Sequence, residues 1–181
     1  MKPALGMIEL SSIALGYVVC DALLKRAPVE LSRVEIVEPG KILLLFHGDE
    51  ASVEESLHAA LSAGGEQILD FLYIPNLHPQ IPGALTGNPL PERDAVGIVE
   101  STTVVAAIVG ADRALKAAAV NLLRLRITGG LGGKGIFTLT GPLEDVEAAV
   151  AAALEEIAPR GALVRREIIP APHEDLWPFF A

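Results

Sequence analysis

The sequence predicts an α+β chain made of two homologous halves, each ordered β-α-β-β-α-β. Three observations carry this. The first is an internal repeat, which decides architecture before any single element does. Gly6-Met7-Ile8-Glu9 recurs as Gly97-Ile98-Val99-Glu100. At the same offset Asp21-Ala22-Leu23-Leu24-Lys25 recurs as Asp112-Arg113-Ala114-Leu115-Lys116. Gly40-Lys41 is then answered by Gly133-Lys134, and Ile74-Pro75-Asn76-Leu77-His78 by Ile169-Pro170-Ala171-Pro172-His173, with small insertions between landmarks. The second is that apolar periodicity switches between period two and helical spacing in the same order in both halves. The third is a Pro- and Gly-rich stretch, 79–94, between them, which reads as a linker.

Each element of the first half has a local reason. Residues 4–10 alternate like a strand, and 12–27 carry helical spacing. Val29–Val37 and Lys41–His47 read as two strands joined at Pro39-Gly40. Asp49 or Ser52 can cap the next helix, and Ser52-Val53-Glu54-Glu55 fits a capping box. That helix runs to about Ser62, ahead of Gly64-Gly65, and Leu69–Ile74 closes the unit as a strand. In the second half Pro142 suits the first position of the corresponding helix. The expected arrangement is two tandem split-βαβ, or ferredoxin-like, domains: antiparallel sheets with helices on one face. The expected boundaries are 1–78, the linker 79–94, and 95–181 with a C-terminal tail.

Composition narrows function. The chain is 51% hydrophobic with only 4% aromatic residues, and its mean hydropathy is +0.44. Such a chain builds a core and leaves apolar surface for partners, so an oligomer is expected. A formal net charge of −9 argues against nucleic-acid binding, which needs a basic surface. No apolar run is long enough to span a membrane, and Met1-Lys2-Pro3 leads into a strand-like segment without the pattern of a signal peptide, so a cytoplasmic location is expected. The single cysteine, Cys20, sits in a helical apolar pattern and reads as a buried thiol; it allows neither an internal disulfide nor a multi-cysteine metal site.

No catalytic constellation emerges. Gly130-Leu131-Gly132-Gly133-Lys134-Gly135 formally matches a dinucleotide-binding loop, but a strand-like run, Ile136–Thr140, follows where a helix is required. As a phosphate-binding Walker loop it fails too, with Thr128 for the first glycine and Gly135 after the lysine. Glu9 and Glu100 occupy equivalent places, whereas acid–base pairs need unequal environments. They read as structural. No nucleophile–base–orienter set is present, and neither His78 nor His173 has a partner at metal spacing. No enzyme activity, cofactor or metal is expected.

A unit that opens Gly-Met-Ile-Glu-Leu, continues Asp-Ala-Leu-Leu-Lys-Arg-Ala-Pro-Val, and then carries a Pro-Gly-Lys turn and a Gly-Asp helix start resembles the BMC domain of bacterial microcompartment shell proteins. Both halves resemble it, so the chain looks like an unpermuted tandem-domain shell protein. Gly130–Lys134 and the ending Ile-Pro-Ala-Pro-His-Glu-Asp-Leu-Trp are most similar to the tandem type of propanediol-utilisation compartments.

The resemblance implies a homotrimer, a pseudohexameric tile with a central pore for small metabolites, joined laterally to other shell proteins around encapsulated enzymes. Carried over, the pore is lined by Glu38, Pro39 and Gly40 from the first domain and by Gly130, Leu131, Gly132 and Gly133 from the second. The tile edges are carried by Lys25, Lys116, His78 and His173. Asp21–Lys25 and Asp112–Lys116 are also ordinary i,i+4 helix pairs. Many such domains have arginine after the proline of the closing segment, where Asn76 and Ala171 stand here. In the propanediol type a cysteine precedes the Pro-Gly-Lys turn, and three such cysteines hold an iron–sulfur cluster; here Glu38 takes that place. Carboxylate is a poor cluster ligand beside thiolate, so the cluster is not carried over. The terminal Trp177, Phe179 and Phe180 read as a tail packed on the protein, or alternatively as a docking patch for an encapsulated enzyme. Two other functions stay open beside the shell role: a trimeric small-ligand-binding regulator, and a pore-borne redox protein.

Overall fold

The computed structural model describes residues 4–85, 93–127 and 130–180. Its contacts divide into two compact units, 1–77 and 78–181. The first holds β1 (Ala4–Leu10), α1 (Ile13–Arg26), β2 (Glu30–Val37), β3 (Lys41–Gly48), α2 (Glu50–Gly64) and β4 (Ile68–Ile74). After a short α3 (Gln80–Ala84), the second repeats the order with β5 (Ala95–Ser101), α4 (Val104–Ala117), β6 (Asn121–Arg126), β7 (Gly135–Gly141), α5 (Leu143–Ile157) and β8 (Leu163–Ile169). A final short helix, α6 (Trp177–Phe180), ends the described chain.

Both sheets are antiparallel and four-stranded, in the orders β2-β3-β1-β4 and β6-β7-β5-β8. This is the split-βαβ topology expected for each half. The same irregularities recur as well: the β2–β3 register slips between Leu31 and Arg33, and β6–β7 between Leu122 and Arg124. A bulge kept at equivalent places ties the two halves together beyond their periodicity.

The helix starts follow their side chains. Ser12 caps α1 through Leu15 N, and Thr103 caps α4 through Ala106 N. The cap of α2 is Asp49, whose Oδ1 accepts from Ser52 N at 3.0 Å and whose Oδ2 accepts from Ser52 Oγ at 2.6 Å. The capping box at Ser52–Glu55 therefore does not form. Ser52 already lies inside the helix, and Glu55 turns instead to an ion pair with Arg26. Pro142 stands at the cap of α5, one residue before its first helical position.

In the first unit the core joins Ile8, Leu10, Ile42, Leu44 and Phe46 of the sheet to Val19 and Leu23 of α1 and Val53, Leu57 and Ala60 of α2. Ser56, buried on α2, donates to Leu23 O at 3.0 Å and so ties the two helices together. Strand and ring approach closely at Gly6, where an added Cβ would lie 2.4 Å from Phe46 Cζ. In the second unit Gly97 admits α5: an added Cβ would meet Val150 at 2.9 Å and Val146 at 3.1 Å.

The opposite face of the second sheet is covered by the tail. Trp177 and Phe180 are buried against Val96 and Leu123, with Ile98 and Ile169 alongside. Their rings meet edge to face at 5.8 Å, and Arg93 lies 5.8 Å from the Trp177 ring. Thr138 Oγ1 donates to Phe180 O at 2.7 Å. Phe179, by contrast, is 81% exposed.

Part of the expected linker 79–94 is structured. His78 N donates to Asp112 Oδ1 at 2.8 Å, and α3 packs on β6 and α4. Gln80 Oε1 accepts from Leu122 N at 2.8 Å, at the start of the edge strand. Residues 86–92 of the linker lie outside the described residues.

Candidate functional site

Each unit presents one turn between its second and third strands, and in both the lysine after the turn's last glycine pairs with a glutamate of the central strand. In the first, Val37 is buried, and Glu38, Pro39 and Gly40 are exposed. Gly40 N donates to Val37 O at 3.0 Å, closing the turn, and Gly40 adopts φ +113°, a conformation glycine supplies without steric cost. The next residue, Lys41, donates from Nζ to Glu9 Oε1 at 2.8 Å. Glu9 is fully buried on the central strand β1, and Lys41 is mostly covered. The turn therefore leaves the sheet from a point pinned by charge.

The second turn is longer and glycine-rich. Gly130, Gly132 and Gly133 all have positive φ, at 79°, 61° and 81°. Lys134 N donates to Leu131 O at 3.2 Å. Lys134 Nζ then reaches Glu100 Oε1 at 2.7 Å, the repeat of the Lys41–Glu9 pair. Gly130 and Gly132 are exposed, Leu131 is half-buried and Gly133 is buried. Positive φ at three positions is a conformation that glycine, lacking a Cβ, adopts without steric cost. Glu9 and Glu100 are thus anchors of the two turns, as a structural reading of them requires.

The residues expected at a tile edge divide by unit. Lys25 Nζ donates to Asp21 Oδ2 at 2.6 Å, with the lysine side chain 74% exposed. Lys116 pairs with Asp112, but Asp112 is only 9% exposed because it also accepts from His78 N. His78 and His173 play one local role. Gln80 N donates to His78 Nδ1 at 3.4 Å, and Asp175 N to His173 Nδ1 at 3.3 Å, so each ring caps the turn that follows it. The repeated histidine has a structural account without a metal.

The donor set does not fit an iron–sulfur cluster. The position before the Pro-Gly-Lys turn is the exposed carboxylate of Glu38. Cys20, the only thiol, is buried on α1, where burial first and the neighbouring Asp21 second push its pKa above the ordinary value. Among the described residues, no three His, Cys, Asp or Glu side chains are gathered as metal ligands.

One feature of the second unit is unannounced by motif. Beside the glycine-rich turn lies a cleft lined by Arg124, Arg126, Leu131, Ile136, Thr138, Phe179 and Phe180. Arg124 and Arg126 alternate along β6 and so share a face. The signal was available in the repeat, where the equivalent first-half residues are Arg33 and Glu35.

Known proteins share this architecture. The BMC domain family matches residues 4–77 and 95–172. Bacterial microcompartment shell protein PduT of Citrobacter freundii is 42% identical over 178 residues, which cover 98% of this chain and 97% of PduT. A crystal structure of a microcompartments protein from Desulfitobacterium hafniense DCB superposes with a TM-score of 0.84 at 39% identity, covering 98% and 99% of the two chains. The double ringed trimeric shell protein MSM0271 of the RMM microcompartment shares the fold alone, with a TM-score of 0.67 at 18% identity over 86% and 82% of the chains. No helix among the described residues is long and apolar enough to cross a membrane. With both halves matched by the BMC domain and one shell protein similar along its whole length, the chain belongs to the tandem-BMC shell proteins, structural components of the shell of a cytoplasmic bacterial microcompartment and not enzymes.

Proposed function

We propose that the chain assembles as a homotrimer whose six domains form a pseudohexameric tile around a central pore for small metabolites. The observation that carries this reading is the repeated turn. Two units of one topology each project a turn from the same sheet position, and each turn is anchored by the same lysine–glutamate pair. Two equivalent projections per chain fit a closed ring in which they alternate about one axis.

In that ring Glu38, Pro39 and Gly40 line the pore from the first domain, and Gly130, Leu131, Gly132 and Gly133 from the second. Three copies of Glu38 favour cations and oppose anions, while the glycine amides act in the opposite sense. Lys25, Lys116, His78 and His173 lie toward the edges, where tiles meet other shell proteins. The two lysines are not equal: Lys25 pairs with an aspartate that is itself exposed, whereas Lys116 is held by a buried aspartate that also binds the segment at His78.

Negative-stain electron microscopy of the purified protein at rising concentration tests the tile. Uniform six-lobed discs, tiling into sheets, are the expected result; discrete particles that never show a hexagonal outline refute it. Glu38→Gln in a reconstituted shell then tests the pore. Faster anion passage is expected, and unchanged flux would remove Glu38 from selectivity.

A further inference from the structure

The repeat puts equivalent side chains in two different surroundings. On α4, Ile108 is 1% exposed and Leu115 6%; their equivalents on α1, Tyr17 and Leu24, are 56% and 44% exposed. Residues seven apart on a helix share one stripe. At the edge strands Leu125 and Ile127 are buried, whereas their equivalents Val34 and Ile36 are exposed. The first unit thus carries, on α1 and β2, an open apolar surface whose copy in the second unit is closed.

The segments that follow the closing strands differ in the same way. Within the second unit, 78–84 lies on α4 and β6, with His78 N donating to Asp112 Oδ1 at 2.8 Å and with Ile81 and Ala84 buried. Its repeat is the tail that starts at His173, turned by the same ring-to-amide cap. There Leu176 and Phe179, in the places of Ile81 and Ala84, are exposed, although Trp177 and Phe180 beside them are buried on their own sheet. Among the described residues nothing accepts from His173 N, and the carboxylate of Asp21, the equivalent of Asp112, accepts from Lys25 alone.

We propose that the tail of one chain docks on α1 and β2 of a second copy as 78–84 docks on α4 and β6. His173 N donates to Asp21 of the next copy, and Leu176 and Phe179 close over its Leu24, Val34 and Ile36. The occupant is a second copy because the chain carries both halves of this joint. Its first unit offers an acceptor beside an open apolar stripe, and its tail offers a donor beside an open apolar edge. The two surfaces differ, so the joint is head to tail, and such joints close into a ring or run on as a filament. Closure at three rests on the trimeric reading above, which this seam deepens.

The test is a cysteine pair, Asp21→Cys with His173→Cys, mildly oxidised and resolved on a non-reducing gel, with each single substitution as the control for Cys20. A contact like that of His78 with Asp112 brings two Cα atoms within about 7 Å, the reach of a disulfide. Cross-linked twos and threes, absent from both single variants, are expected. Phe179→Asp, at an exposed residue outside the chain's own core, should raise the concentration at which the assembly dissociates by about tenfold or more, read by light scattering. Asp21→Ala should act in the same direction; its effect appears in association, because the fold of the separate chain depends little on an exposed pair. Trimers that hold both cysteines without cross-linking, or that Phe179→Asp leaves unweakened, would overturn the seam and leave the tile standing. A ladder that runs past three chains would support the seam and remove the closed ring. An unsubstituted protein that stays a single chain at every concentration would remove both.

Discussion

Lys41 Nζ lies 2.8 Å from Glu9 Oε1, and the carboxylate it meets is completely shielded from solvent. The repeat of this pair, Lys134–Glu100, has nearly the same length at 2.7 Å but sits with side chains 47% and 32% exposed. Burial, not distance, sets the worth of an ion pair, because a carboxylate out of water depends on every partner it has. Lys41→Met should therefore destabilise the protein by about 3 kcal/mol, and Lys134→Met by less than about 1 kcal/mol. Urea unfolding of the two variants measures the difference. Equal losses would show that Glu9 is sustained by something other than its lysine.

A second contrast concerns two glycines of the first sheet. An added Cβ at Gly6 would stand 2.4 Å from the ring of Phe46, which is fully buried and has no room to withdraw. At Gly48 the nearest atoms are at 3.5 Å, an ordinary contact. Gly6→Ala should cost about 1–3 kcal/mol through overpacking. Gly48→Ala should be neutral or gain about 0.5 kcal/mol by restricting the unfolded chain. Thermal melts of the pair decide it, and a stable Gly6→Ala would mean that the ring moves.

Much of this was legible beforehand, and the limit is physical. Periodicity and caps are local properties, so β1, α1 and the two turns fall where Gly6-Met7-Ile8-Glu9 and Pro39-Gly40 place them. The start of α2 was ambiguous because Asp49 and Ser52 both carry capping oxygens; only the hydrogen bonds to Ser52 decide between them. The docking of α3 is not a local property at all. Gln80 binds Leu122 across a long stretch of sequence, and nothing in a Pro- and Gly-rich segment announces it. Lys41 and Lys134 are legible as a repeat, but that each meets a glutamate of its central strand is set by the sheet and not by local sequence.

The cap of α2 makes stability depend on pH in a defined window. Hydrogen bonds from the Ser52 hydroxyl first, and then from the Ser52 amide, hold the Asp49 carboxyl below its ordinary value of 3.8. A depressed folded-state value means that Asp49 contributes stability above the unfolded-state value and loses it as pH falls through the folded one. The melting temperature of the unsubstituted protein should exceed that of Asp49→Ala by a constant margin from pH 7 to pH 5. Below about pH 4 the margin should shrink. A margin that stays fixed down to the acid transition would mean that the carboxylate charge contributes nothing to the cap.

The equivalent aspartates of α1 and α4 should behave differently, although each has a lysine at i+4. Asp21 and Lys25 are both largely exposed, so Asp21→Ala should change stability by no more than about 0.5 kcal/mol. Asp112 is buried and holds both Lys116 and the amide of His78. Asp112→Ala leaves that amide without its acceptor, at a cost of about 1–3 kcal/mol. It should also release the segment that carries α3, so hydrogen exchange at His78 and at Leu122, the amide held by Gln80, should accelerate while β5 stays protected. Fast exchange confined to His78 would show that Gln80 holds α3 in place by itself. Unchanged exchange at both amides would mean that the aspartate serves its lysine alone.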